Sequence, residues 1–101
     1  ELHADPADPR SPVVASEFVG TSISSRGVDH AAFARHLPDN PHVRFFDARY
    51  RGYVLVRLGP DAFEVALRAV DDARDARSGV RTLARFAVHP GRPGITRTDG
   101  A

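Results

Sequence analysis

The sequence of 101 residues contains no cysteine, methionine, tryptophan or lysine. The absence of cysteine excludes disulfide bonds and thiolate metal sites. No apolar run approaches the roughly 18 residues of a membrane-spanning helix, so no membrane span is predicted. Residues 1–6 also lack the basic and apolar regions of a signal peptide, so no export signal is expected within them.

The net charge is small, because 14 arginines nearly balance 13 acidic residues and leave +1. Attraction to a nucleic-acid backbone or to an anionic membrane needs a larger positive charge, so neither is predicted as the main function. Arginine is used throughout in place of lysine, and this has two explanations: a compositional bias of the gene, or a surface suited to oxyanions. With 42% apolar and 27% charged residues, the composition is that of an ordinary folded domain.

The patterning predicts one short helix and several strands. Residues 29–37 are predicted as the helix, because Asp29 can cap the first turn, apolar side chains recur at spacings of three and four, and Pro38 ends the pattern. Strands are predicted where β-branched and aromatic residues cluster, at residues 13–20, 42–49, 52–58, 62–70 and 80–89. The predicted fold class is α+β, with mostly antiparallel strands and one short helix.

Both ends of the chain are predicted to lie outside this fold. Residues 1–12 contain three prolines and are expected to form an extended arm. Residues 94–101 follow a break rich in proline and glycine and are expected to be a disordered tail.

Residues 53–58 are apolar at nearly every position and require cover on both faces, which one short helix cannot supply. A sheet with too little cover is typical of part of a larger domain.

The five histidines do not have the spacing of a metal site. We interpret them as surface or half-buried residues: His3, His30, His36, His42 and His89.

A loop rich in hydroxyl groups follows the first predicted strand and contains Thr21, Ser22, Ser24 and Ser25. The loop lacks the second glycine of the Gly-x-Ser-x-Gly turn of serine hydrolases, so it does not predict such an enzyme. Two interpretations remain: a polar connector, or a set of hydroxyl donors for a bound oxyanion.

Arginines and aromatic residues are interleaved over residues 44–57, a mixture that superficially suits single-stranded nucleic acid. Asp47 interrupts the mixture and the chain has no overall positive balance, so no specific nucleic-acid binding is predicted. Packing of Phe45 or Phe46 in the core, with arginines at the sheet edge, explains the pattern.

Four ordered strings carry a family resemblance. Residues 11–25, SPVVASEFVGTSISS, resemble the segment SPVVxxEFVGTSITS of the alkaline phosphatase D (PhoD-like) family of metallophosphoesterases. Residues 40–47 resemble its NPHxxFF run, and residues 51–54 resemble its RGYV string. Residues 59–65 lie where the family has a turn written TPxxW, with glycine in place of the threonine and phenylalanine in place of the tryptophan.

This resemblance implies a metal-dependent hydrolase of phosphate esters, exported by bacteria to the periplasm or the extracellular space. Residues 13–93 would form the C-terminal part of its domain, a portion of a layered sandwich, with the N-terminal remainder of the domain as partner. Divalent or ferric ions would be bound by upstream residues, including a Gly-Asp-x-His motif. No metal ligand and no catalytic residue is therefore assigned to this chain.

The resemblance also implies candidate pocket residues. Thr21, Ser22 and Ser24 would lie near the phosphate pocket, because their loop ends a core strand soon after the upstream metal motif. The competing interpretation of the whole chain is a stand-alone β-rich interaction module without catalysis.

Overall fold

The computed structural model describes residues 1–99, and its fold is α+β, as predicted. The elements, in chain order, are β1 Leu2–His3, β2 Val13–Ala15, α1 His30–Ala34, a 3₁₀ helix Leu37–Asp39, β3 Arg51–Leu58, β4 Phe63–Val70, β5 Val80–His89 and β6 Arg92–Arg97. β1 and β2 form a two-stranded antiparallel sheet, and β3 to β6 form a four-stranded antiparallel sheet in chain order. Neither helix of these residues has the length and apolar character needed to cross a membrane.

The core lies on the two central strands of the larger sheet. Val65 of β4 stands directly opposite Phe86 of β5, and both are buried. Two aromatic rings from the connecting segments pack on this face. The Phe18 ring centroid lies 5.9 Å from that of Phe63, and the Phe45 centroid lies 5.7 Å from that of Phe86. Each such side chain contributes about 1.5–3 kcal/mol when it is fully buried, so these contacts join the N-terminal half to the sheet.

The helix is shorter than predicted, although its start is confirmed. The Asp29 carboxylate accepts hydrogen bonds from the backbone N–H groups of Ala31 and Ala32, at 3.0 and 3.4 Å. The α-helix ends at Ala34 rather than at residue 37. Pro38 has no N–H to donate to the Ala34 carbonyl, so the chain continues as a 3₁₀ turn.

The strand predicted at residues 42–49 is wrong, because side chains rather than a neighbouring strand accept hydrogen bonds from backbone N–H groups of this segment. The Arg49 N–H donates to the Asp47 carboxylate at 2.9 Å, and the Ala48 N–H donates to Nδ1 of His30 at 3.1 Å. The strand predicted at residues 13–20 is also too long, since only Val13–Ala15 pairs with another strand. The predicted strands at 52–58, 62–70 and 80–89 are confirmed as β3, β4 and β5.

The expectations for the two ends need correction. Residues 92–97 form β6, which includes residues 94–97 of the expected tail, because Gly91 has a φ of 73° and closes a tight turn that returns the chain along β5. Residues 100 and 101 of the predicted tail lie outside the described residues. Within the predicted arm of residues 1–12, Leu2–His3 pairs with β2, and the Ala4 N–H donates to the Pro12 carbonyl at 2.8 Å.

The surface is large for a chain of this size. The accessible area is 7359 Å², whereas a folded monomer of this length exposes about 5600 Å². The radius of gyration is 14.9 Å, against about 13 Å for a typical domain of 100 residues. Part of the excess lies on the edge strand β3, where Leu55 is 56% exposed and Leu58 is 77% exposed. The apolar strand therefore lacks the cover that its sequence requires.

Candidate functional site

A cleft of about 700 Å³ lies between the hydroxyl-rich loop and the segment that precedes β3. Its walls are residues 17–22, residues 26–28 and residues 42–48, with Arg51 and Phe86 also in the lining. Phe86 belongs to the buried core, so the cleft opens directly above the central strands. The volume is within the range of small-molecule sites, and the lining combines apolar and charged side chains.

Arg51, the first residue of β3, joins the two walls of this cleft. Its Nη1 donates a hydrogen bond to Oγ of Ser22, and its Nη2 donates to the carbonyl oxygen of Ala48, each at 2.8 Å. The next N–H along β3, that of Gly52, donates to the Ser22 carbonyl at 3.3 Å. The hydroxyl-rich loop is therefore fixed to the start of β3 through both the side chain and the backbone of Ser22.

Gly27 allows the Arg51 guanidinium to occupy this position. A Cβ atom at residue 27 would lie 2.3 Å from Nη2 and 2.8 Å from Cζ of Arg51. Any side chain at residue 27 would displace the guanidinium, since real Cβ atoms do not approach other atoms so closely. The absence of a side chain at Gly27 thus lets the Arg51 guanidinium reach Ser22 and Ala48.

Asp47 carries a nearly buried carboxylate beside the cleft, with a side chain that is 4% exposed. Arg49 binds it through Nη2, 2.5 Å from Oδ2, and through Nε, 3.0 Å from Oδ1. His30 Nδ1 lies 3.7 Å from Oδ1. These hydrogen bonds from Arg49 hold the pKa of Asp47 below its usual value, although burial acts in the opposite direction.

The other charged groups of the lining are Glu1, Arg44, Glu17 and Arg26. Glu1 Oε1 lies 3.9 Å from Nε of Arg44, and Glu1 Oε2 accepts a hydrogen bond from the Ile95 N–H at 3.2 Å. Glu17 and Arg26 form no ion pair within residues 1–99. The lining therefore carries both signs of charge.

The structure separates the hydroxyl groups that the sequence grouped together. Thr21 and Ser22 lie in the lining of the cleft, whereas Ser24 lies outside it. The Ser22 hydroxyl is 3.4 Å from the carbonyl oxygen of Ser25, so its own hydrogen bond to that oxygen is long. Whether Thr21 and Ser22 contact phosphate stays a prediction. Sequence reasoning missed Arg51 as the partner of Ser22, although the RGYV string that contains it was the available signal.

The histidines do not come together. His3 and His89 bond through Nδ1 to the carbonyl oxygens of Ser11 and Asp61, at 2.7 and 3.3 Å. His30 stacks on Phe46, with ring centroids 5.3 Å apart. Among residues 1–99, no three histidine or carboxylate side chains converge on a point that could hold a metal ion. The side chains of this part of the chain therefore do not fit the metal centre that the resemblance implies.

Two of the aromatic residues at 44–57, Phe45 and Tyr50, contact other parts of the fold. Phe45 packs on Phe86, as predicted, and the Arg97 guanidinium lies 5.5 Å from the Phe45 ring centroid. Arg81 lies over the Tyr50 ring at 4.6 Å. The aromatic rings are used in these contacts rather than in one open stacking surface.

Comparison with known proteins finds similarity along nearly the whole chain. Alkaline phosphatase D of Bacillus subtilis (strain 168) is 32% identical in an alignment 101 residues long. The alignment covers 97% of this chain and 17% of the relative. The chain thus spans about a sixth of the length of this curated relative. No protein-family model matches the chain, and no solved structure matches it. The resemblance to the alkaline phosphatase D family that the four strings predict is confirmed over nearly the whole chain.

Proposed function

We propose, with this similarity as the premise, that the chain forms the C-terminal part of a metal-dependent hydrolase of phosphate esters. The observation that carries the proposal is the 32% identity to alkaline phosphatase D across 97% of the chain. In this proposal residues 13–93 belong to the phosphatase domain, and the rest of the domain is their partner. The full-length protein that would contain this chain is referred to below as the parent protein.

The uncovered surface supports this proposal. The chain exposes 7359 Å², about 1700 Å² more than is usual for a folded monomer of its length. β3 is an edge strand with exposed apolar side chains, and such edges are normally covered or paired in native proteins. Contact with the remainder of a layered sandwich would cover both the face and the edge of β3.

The cleft supports a role as one wall of the substrate pocket. Thr21 and Ser22 line the cleft, and Arg51 places a cation beside the Ser22 hydroxyl. Hydroxyl and guanidinium groups are donors that suit phosphoryl oxygens. In this role the chain binds and orients the phosphate ester.

The metal ions are assigned to the parent protein rather than to this chain. By resemblance, divalent or ferric ions would be bound by residues upstream, where they would neutralise charge on the phosphoryl group. Since the side chains of residues 1–99 do not fit a metal centre, no reaction step is assigned to them. The parent protein would be an exported bacterial enzyme, periplasmic or extracellular.

Assay of the parent protein tests the proposal. We expect hydrolysis of an aryl phosphate that a chelator abolishes and added metal ions restore, and a gene that encodes Gly-Asp-x-His upstream of Glu1. The matched control is the 101-residue chain alone, which should neither hydrolyse the substrate nor bind these ions tightly. If a start codon directly precedes Glu1, and the isolated chain unfolds as a monomer in one sharp transition, the stand-alone interaction module is correct instead.

A further inference from the structure

Arg51 is a half-buried cation whose hydrogen-bond partners are both neutral. Its guanidinium bonds to the Ser22 hydroxyl and to the Ala48 carbonyl, each at 2.8 Å. None of the ion pairs within residues 1–99 includes Arg51. Removing a charge from water without an opposite charge is unfavourable, so an anion is the expected complement of this side chain.

The neighbouring acids do not supply that anion. Asp47 is held by Arg49 through three contacts of 2.5 to 3.2 Å. Glu1 lies beside Arg44 at 3.9 Å. Glu17, the remaining acid of the lining, forms no ion pair with Arg51 within residues 1–99. Arg51 therefore lines the cleft without a carboxylate partner from this part of the chain.

The guanidinium is also held in a fixed orientation with donors to spare. Two of its five N–H groups are used by Ser22 and Ala48, which leaves three for a ligand. The guanidinium occupies the space that a Cβ atom at residue 27 would take, 2.3 Å from Nη2 and 2.8 Å from Cζ, so glycine at this position leaves room for it. A cation that is oriented before the ligand arrives loses little conformational entropy on binding.

We infer that Arg51 binds the phosphoryl oxygens of the substrate, with the Ser22 hydroxyl held beside it as a second donor. This inference rests on the proposed function and extends it to a named binding residue. Arginine suits a tetrahedral oxyanion because its planar fork can donate two parallel hydrogen bonds. The Ser22 hydroxyl accepts from Arg51 and makes only a long bond to Ser25, at 3.4 Å, so its proton can turn to a ligand in the cleft.

The test compares Arg51→Gln with Arg57→Gln in the parent protein. Both changes remove one charge from β3, but residue 57 does not line the cleft. Inorganic phosphate is the probe, measured by calorimetric titration and as a competitive inhibitor of aryl phosphate hydrolysis. For Arg51→Gln we expect phosphate affinity to fall roughly tenfold or more and KM to rise by a similar factor. Arg57→Gln should leave both unchanged.

A second variant, Gly27→Ala, keeps the charge but displaces the guanidinium, and it should also weaken phosphate binding. The inference is overturned if Arg51→Gln lowers the unfolding temperature while phosphate affinity and KM stay as in the wild type. That result would mean that Arg51 pairs with a carboxylate elsewhere in the parent protein. If the wild-type parent binds phosphate through Arg51 but hydrolyses no ester, the proposed function fails and the binding site stands.

Discussion

Gly52 of β3 faces the carbonyl oxygen of Arg68 on β4 so closely that a Cβ atom at residue 52 would lie 1.9 Å from that oxygen. Gly52 is paired with Ala69, the residue after Arg68, and it is buried. Because the obstructing atom is backbone rather than a flexible side chain, a larger residue at 52 would force the two strands apart. This contact sets how closely the edge strand approaches the core.

Gly52→Ala should therefore destabilise the parent protein. Overpacking of this kind typically lowers the free energy of unfolding by about 1–3 kcal/mol. Because the backbone itself must move here, we expect a loss of about 3 kcal/mol or more. Thermal or denaturant unfolding measures this loss. The matched control is Gly59→Ala, where the new Cβ would meet the Ala62 carbonyl oxygen at an ordinary 3.8 Å. Equal stability of the two variants would contradict the close approach described for Gly52.

Ser22→Ala should lower activity in the parent protein, and Ser24→Ala should not. Ser22 lines the cleft and accepts a hydrogen bond from Arg51, whereas Ser24 lies outside the lining. A hydrogen bond to a charged group contributes about 1.5–3 kcal/mol, so kcat/KM for aryl phosphate should fall roughly 10–100-fold. Metal content and thermal stability should match the wild type in both variants. If both keep wild-type turnover, the hydroxyl-rich loop is only a connector.

Asp47→Asn should destabilise the parent protein at neutral pH and reduce the pH dependence of its stability. The pKa of Asp47 is lowered, chiefly by hydrogen bonds from Arg49. The stabilisation from a carboxylate with a lowered pKa is fully present above the unfolded-state pKa, about 4, and is lost as pH falls through the folded-state pKa. The variant should cost about 1–3 kcal/mol at pH 7, and the difference from the wild type should shrink below pH 4.

Asp72→Asn is the control for this experiment. Asp72 also precedes an arginine by two residues, and its pKa is lowered by the backbone N–H of Arg74, but its side chain is 49% exposed. Solvent screens such an exposed ion pair, so Asp72→Asn should change the free energy of unfolding little at any pH. A pH dependence of unfolding that is the same for wild type and Asp47→Asn would show that Asp47 is not held as the structure describes.

The isolated 101-residue chain should associate or unfold broadly, because the apolar side chains of β3 have no cover. Leu58→Lys should increase the fraction of monomer in size-exclusion chromatography of the isolated chain. In the parent protein the same change should lower the free energy of unfolding, by about 1.5–3 kcal/mol if Leu58 is fully buried there. Opposite effects in the two proteins would support burial of this edge by the remainder of the domain. An unchanged parent protein would show that the edge stays exposed.

Much of the larger sheet could be predicted from sequence, because its central strands carry local signals. The alternation of β4 and β5 and the continuous apolar run of β3 are typical of pleated strands with buried faces, and they need no knowledge of distant residues. β6 was missed because Pro93 and Gly94 indicate a break. At a sheet edge a proline is tolerated, since its missing N–H can face away from the ladder.

Three copies of the tripeptide Asp-Ala-Arg show where sequence alone stops, at residues 47–49, 72–74 and 75–77. In each copy the arginine N–H donates to the aspartate Oδ1, so the local turn is determined by the tripeptide itself. Only Asp47 is nearly buried and close to a histidine, because residues 29–34 fold back over it. The long-range pairing of Arg51 with Ser22 is likewise decided by tertiary structure, since 29 residues separate the two and no local pattern links them. The sequence determined the three longest strands, the Asp-Ala-Arg turns and the family resemblance through short-range sterics and motifs, while packing decided which charges are buried and which are paired.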